Sequence, residues 1–207
     1  ADKQCAYFQM EKEENPALGL RGIRVSLTRP EIFKTQIKAL LRASAYGNLS
    51  ILYPMITSLW EIRKVKELVE ESKMELIGQN IPMGNPDQGI MIETPAAVMV
   101  SEELAQEVDF FSIGTNALTH YTLGMERQNP NFAPFYDPYH PAVRKMIAIV
   151  VESAHKAGIQ ASICGELGAD SNLITDFLSM GVDGVSVSPG SILPIRKIVR
   201  NTDLSAK

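Results

Sequence analysis

Gly89-Ile-Met-Ile-Glu-Thr-Pro95 and Phe110-Phe-Ser-Ile-Gly-Thr-Asn116 decide the fold. Each is an apolar run that stops on a polar cluster, with Glu93 ending the first and Asn116 the second. This pattern predicts buried strands that deliver functional groups at their C-terminal ends. Between them, residues 96–107 have helical spacing, which makes a strand–helix–strand unit of a parallel sheet.

Working outward, the unit repeats. Downstream, residues 141–158 read as an amphipathic helix closed by glycine. They are followed by a strand over 159–166, a helix over 170–181, a strand over 182–187 and a last helix through Arg200. Upstream, a strand over 49–56 precedes a long helix from Ser58 to Gly78. Ser58 and Glu61 have the spacing of a capping box. Residues 18–27, apolar and basic by turns, lead into a helix opened by Thr28-Arg-Pro30. Residues 128–141, rich in Asn, Pro, Phe and Tyr, form a long irregular loop, a kind often functional. Phe132, Phe135, Tyr136 and Tyr139 are expected to pin it.

Counted from residue 18, the sequence holds about six βα units. A helix after each strand means either a doubly wound sheet or a (β/α)8 TIM-type barrel. Polar groups at most strand ends favour the barrel, whose loops share one mouth. A complete barrel needs about 250 residues, so this chain of 207 is expected to be short by about two units, the first two strands.

Bulk properties narrow the function. Hydrophobic residues make up 45% and charged residues 21%, with a net charge of −4 and no basic tract, which argues against nucleic acid as partner. No apolar run reaches the roughly 20 residues of a membrane helix. Ala1-Asp-Lys-Gln-Cys5 lacks the apolar region of a signal peptide. Two distant cysteines, Cys5 and Cys164, make no disulfide framework, so a cytoplasmic location is expected.

If the strand ends converge, the mouth gathers Arg21, Glu93, Asn116, Arg127, Cys164 and Glu166. Two arginines near a carboxylate suit a small anionic substrate, because guanidinium forks bind phosphate or carboxylate in two places. Glu with an Asn carbonyl can hold Mg²⁺, and amides around Gly114-Thr-Asn116 could donate to phosphate. Each feature has a plainer reading. Arginines commonly lie solvated on a surface. Asn116 could cap the turn that follows it. A solitary Cys164 is more often a small buried hydrophobe than a reactive thiol. Glu93 is the exception, since a carboxylate closing an apolar strand is costly without a partner or ligand. His120, Trp60 and the methionines read as packing or surface groups.

The chain resembles the phosphoenolpyruvate-binding barrel of the phosphoenolpyruvate-protein phosphotransferase family, which opens the bacterial sugar phosphotransferase system. The matching stretches are Glu14-Asn-Pro-Ala-Leu-Gly-Leu-Arg-Gly-Ile-Arg24, Leu41-Arg-Ala-Ser-Ala-Tyr-Gly47, Tyr53-Pro-Met55, Met91-Ile-Glu-Thr-Pro-Ala-Ala97, Asp109-Phe-Phe-Ser-Ile-Gly-Thr-Asn116 and Ile163-Cys-Gly-Glu-Leu167. Pyruvate phosphate dikinase and phosphoenolpyruvate synthase share that barrel, but Tyr121-Thr-Leu123 and Asp137-Pro-Tyr-His-Pro141 look more like the phosphotransferase. The resemblance implies one partial barrel domain over 1–207, without the family's phospho-histidine domain. It implies that Arg21, Asn116 and Arg127 bind phosphoenolpyruvate, that Glu93 ligates Mg²⁺ and that Cys164 protonates the enolate to give pyruvate. Implied partners are a phospho-histidine domain, a small phosphocarrier protein and a second copy in a homodimer.

Two departures stand out. Where the family has Asp after the Asn, this chain has Ala117, which can offer only its backbone amide. One metal carboxylate remains, which predicts weakened Mg²⁺ binding and little turnover; His120, where the family usually has Gln, is a poor Mg²⁺ ligand. The resemblance also implies that the chain begins after the family's first two strands, one of which carries a substrate arginine. The competing reading is a module that keeps ligand binding or dimerisation without chemistry.

Overall fold

The computed structural model describes residues 13–126 and 129–205, so Cys5 and Arg127 lie outside the described residues. Two helices, α1 (Ile23–Thr28) and α2 (Pro30–Ala43), precede the sheet. Strands β1 (Ser50–Tyr53) and β2 (Asp87–Ile92) flank α3 (Leu59–Gly78). Two short helices, α4 (Pro95–Met99) and α5 (Ser101–Ala105), lead to β3 (Phe110–Gly114). Then come α6 (Thr115–Leu123), α7 (Pro141–Ala157), β4 (Gln160–Cys164), α8 (Ile174–Met180), β5 (Gly184–Ser186) and α9 (Ile192–Asn201).

The strands form one sheet in the order β1-β2-β3-β4-β5, and every pairing is parallel. A doubly wound sheet reverses its order at a switch point. This one never reverses, which is the winding of the (β/α)8 barrel class. Among the described residues, β1 and β5 are each paired on one side only.

Register explains which face the helices cover. Tyr53, Ile90, Phe111 and Ala161 lie in one row across the sheet, and Ile92, Ile113, Ile163 and Val185 in the next. All but Val185 are buried, in one core with Ile62, Val65 and Val69 of α3 and Val143, Ile147 and Val150 of α7. The alternate residues face the other way, because successive side chains in a strand point to opposite faces. That second face carries Ser112, Gly114, Ser162 and Cys164 beside Met91, so β3 and β4 present small or polar groups there where the first face carries mostly large apolar ones.

Three expectations are corrected. Among the described residues the sheet has five strands where about six units were expected, because residues 18–27 form no strand. Leu18 and Gly19 donate to Asn15 and Pro16 in tight turns, Gly22 adopts φ +54°, and the helix α1 begins at once. The helix over 96–107 is two helices. Val100, at φ −113° and ψ 23°, leaves the helical conformation between them, and Ser101 beyond the break pairs its hydroxyl with Ser153 of α7 at 2.8 Å. The aromatics of the long loop do not all pin it: Phe135 is 68% exposed, although the Tyr139 hydroxyl does bond Asp170.

The long helix starts as its sequence predicts. Glu61 is buried, and its carboxylate accepts from the backbone amides of Thr57 (2.6 Å) and Ser58 (2.9 Å) and from the Thr57 hydroxyl (3.0 Å). Glu61→Ala strands those donors at the exit of β1. It is expected to lower stability by about 1–3 kcal/mol in urea unfolding, with the slope unchanged.

Candidate functional site

The C-terminal ends of parallel strands face one side, so the residues just beyond them become neighbours. Glu93 follows the last residue of β2, Gly114 ends β3 and Cys164 ends β4 opposite it in register. A Cβ on Gly114 would sit 3.0 Å from the Glu93 Cβ. Glycine at that point lets the buried carboxylate stand against β3.

Glu93 is buried, and its Oε1 accepts from the Met55 backbone amide at 2.7 Å. Met55 has φ +63°, a conformation an unbranched non-glycine residue adopts only at a cost. Loss of solvent pushes the Glu93 carboxyl above its usual range. The Met55 amide and the Arg21 guanidinium pull partly the other way.

Arg21, in the turn before α1, acts on this carboxylate through its charge. Gly22 has φ +54° and ψ −132°, a region open essentially to glycine, and a Cβ there would meet the Met55 side chain at 2.8 Å. The Ile23 amide donates to the Pro54 carbonyl at 3.1 Å. The turn is thereby laid against the exit of β1, which brings the Arg21 charge within influence of Glu93.

Asn116 sits in the first turn of α6, not at the strand end. It does not cap its own helix. Its Oδ1 faces the Glu166 amide at 3.4 Å, across the loop after β4. That loop turns at Gly165 with φ +109°, where a Cβ would lie 2.7 Å from the Thr115 Oγ1. Ala117 follows Asn116, so both amides belong to the first turn of a helix, where backbone N–H groups lack intrahelical partners and favour anions.

Cys164 carries a free thiol, half-buried. Ser112 donates to its Sγ at 3.2 Å, and the thiol points to the Ile113 carbonyl at 3.4 Å. The sequence reading missed both Ser112 and Tyr121. Tyr121 lies at hydrogen-bond range of Arg21. Spacing from Cys164 to Ser112 carries no signal, since β3 and β4 bring them together from 52 residues apart. Glu166, itself exposed, begins a 3-10 turn beside Asn116. The site thus brings Arg21, Glu93, Asn116, Ala117 and Cys164 to one end of the sheet, and Arg127 lies outside the described residues.

The arrangement suits an anion better than a metal. Among the described residues it offers the Arg21 guanidinium and the N-terminus of α6. Among the described residues, no group of three or more His, Cys, Asp and Glu is placed to hold a metal ion.

Because the folded chain holds the Glu93 proton more tightly than the unfolded chain, folding takes up a proton near this value. The contribution to stability is full below the ordinary carboxylate range and is lost as pH rises through the raised value. The difference in melting temperature between wild type and Glu93→Gln should therefore shift against the wild type as pH rises. Parallel curves would show that the carboxyl is ordinary.

A family model described as "PEP-utilising enzyme, PEP-binding domain", PEP being phosphoenolpyruvate, matches residues 1–204. The phosphoenolpyruvate-protein phosphotransferase of Buchnera aphidicola subsp. Acyrthosiphon pisum (strain APS) is 47% identical over 206 residues, covering 99% of this chain and 36% of that protein. The Haemophilus influenzae protein of the same name is 44% identical over 203 residues, covering 98% and 35%. The chain spans about a third of the length of these curated relatives. Among solved structures, a citrate lyase from Burkholderia xenovorans aligns with a TM-score of 0.59 at 20% identity, over 82% of this chain and 54% of that one. Pyruvate kinase from Pyrobaculum aerophilum aligns at 0.57 and 16%, over 84% and 37%. At such identities the likeness speaks for the fold alone, and that fold is of the TIM-barrel type. The match along nearly the whole chain makes it a member of the PEP-binding domain family of PEP-utilising enzymes.

Proposed function

We propose that this chain is the phosphoenolpyruvate-binding portion of a phosphoenolpyruvate-protein phosphotransferase, which moves phosphate from phosphoenolpyruvate to a protein histidine and releases pyruvate. The observation that carries the reading is the convergence of Arg21, the first turn of α6 and the Cys164 thiol at the ends of neighbouring strands. The curated relatives bearing the phosphotransferase name favour it over a dikinase-type barrel.

The roles follow from the chemistry of each group. Arg21 and the amides of Asn116 and Ala117 bind the charged ends of phosphoenolpyruvate, and Arg127 is expected to add a second guanidinium. When the phosphorus–oxygen bond breaks, its electron pair stays on the enolate. The Cys164 thiol then gives its proton to the terminal carbon: a C–H bond forms, the S–H bond breaks and pyruvate leaves. The resulting thiolate keeps the Ser112 hydroxyl as donor at 3.2 Å. The histidine that takes the phosphate belongs to a separate domain of the family, and a small phosphocarrier protein, a homodimer partner and a cytoplasmic setting are part of this reading. No described helix is long and apolar enough to cross a membrane.

Magnesium fits these residues poorly. Glu93 is one buried carboxylate with an oxygen already bonded to Met55, and position 117 offers methyl. Weak Mg²⁺ binding with little turnover is expected.

Two measurements test the reading. Calorimetry with phosphoenolpyruvate should give binding that Arg21→Ala weakens by about tenfold to a hundredfold, as loss of a charge-assisted hydrogen bond predicts. Equal affinity in the variant would remove Arg21 from the site. Ala117→Asp should make phosphoenolpyruvate binding tighten on adding Mg²⁺; no gain would argue that position 117 is not beside the ligand.

A further inference from the structure

Tyr121 has no part in the roles assigned above, yet three elements of the site meet at its hydroxyl. The Tyr121 O–H donates to the Ala17 carbonyl at 2.5 Å, and Arg21 Nη1 donates to the same oxygen at 3.4 Å. The Met55 sulfur lies 3.9 Å away. One phenolic hydroxyl supplies one proton and accepts in return, so both capacities are used within the turn that bears Arg21. The ring is half-buried and meets His120 edge-on, with centroids 4.9 Å apart.

Other bonds fold this turn upon itself or tie it to β1. Leu20 donates to Glu13 at 2.8 Å, Arg24 donates to the carbonyls of Leu18 and Gly19, and Ile23 donates to Pro54. None of these reaches α6, whereas Tyr121 does, from 104 residues along the chain. The distinction matters because an anion at this site draws on two separate bodies: the guanidinium of Arg21, and the amides at the start of α6.

We propose that Tyr121 is a positioning residue, whose hydroxyl fixes the distance between Arg21 and the N-terminus of α6 so that both meet one phosphoenolpyruvate anion. The inference rests on the reading given under Proposed function. Its energetic basis is preorganisation: an arginine on an untied turn must be ordered when the ligand binds, and that cost reduces affinity.

Tyr121→Phe keeps the ring and removes only the hydroxyl. In calorimetry the variant should bind phosphoenolpyruvate about three- to tenfold more weakly. In an Arg21→Ala background the same change should alter affinity less than twofold, because the group it positions is gone. Amide hydrogen exchange at residues 18–20, measured without ligand, should accelerate about tenfold, since the turn loses its tie to α6. Unaltered exchange, or an equal loss of affinity in both backgrounds, would overturn the positioning role while leaving the parent reading intact. A wild-type chain that binds no phosphoenolpyruvate would instead overturn the parent reading and this inference with it.

Discussion

A carboxylate withdrawn from water at the end of a parallel strand must find compensation, and the neighbourhood of Glu93 is built to supply it. The Met55 amide donates to it at 2.7 Å. Arg21 stands near enough to oppose the effect of burial on its ionisation. Neither partner belongs to the strand that carries Glu93. Met55 is held at positive φ after β1, and Arg21 is brought in by a glycine turn that fits only because residue 22 lacks a Cβ. The cost of one buried charge therefore couples three stretches of chain that are remote in sequence.

The winding of the sheet makes this coupling general. With the strands in unreversed parallel order, every strand exit opens on the same side, and each is separated from the next by about 4.8 Å. Groups that follow β2, β3 and β4 meet there, with Gly165 turning the loop after β4 against the start of α6. The face toward the helices is filled by Ile, Phe and Tyr, while the opposite face keeps Ser112, Gly114, Ser162 and Cys164. Stability and chemistry thus occupy alternate residues of the same strands. Ile113 is buried in the core, and its neighbour Ser112 holds the thiol.

Much of this was legible in the sequence, for local reasons. Apolar runs of strand length ending on Glu93 and Asn116 gave the parallel units, and Ser58 with Glu61 gave the start of α3. The misreadings came where tertiary contacts overrode pattern. Residues 18–27 alternate like a strand, yet Gly22 and the docking of Ile23 on Pro54 turn them into a helix. Residues 96–107 have an unbroken helical period, yet Val100 interrupts it where Ser101 meets Ser153. Asn116 looked like the end of a strand, although the helix had already begun at Thr115. Ser112 and Tyr121 were invisible because their partners, Cys164 and Ala17, lie far along the chain and no spacing rule joins them.

The bond that restrains Glu93 comes from the main chain of residue 55, not from its side chain. Selection on that charge consequently acts on a backbone angle. The Met55 side chain fills a buried site against Gly22, but the donor to the acid does not depend on it, provided the residue tolerates the left-handed conformation. A β-branched residue does not, so position 55 answers to burial and backbone shape, and no polar side chain there matches the charge it serves.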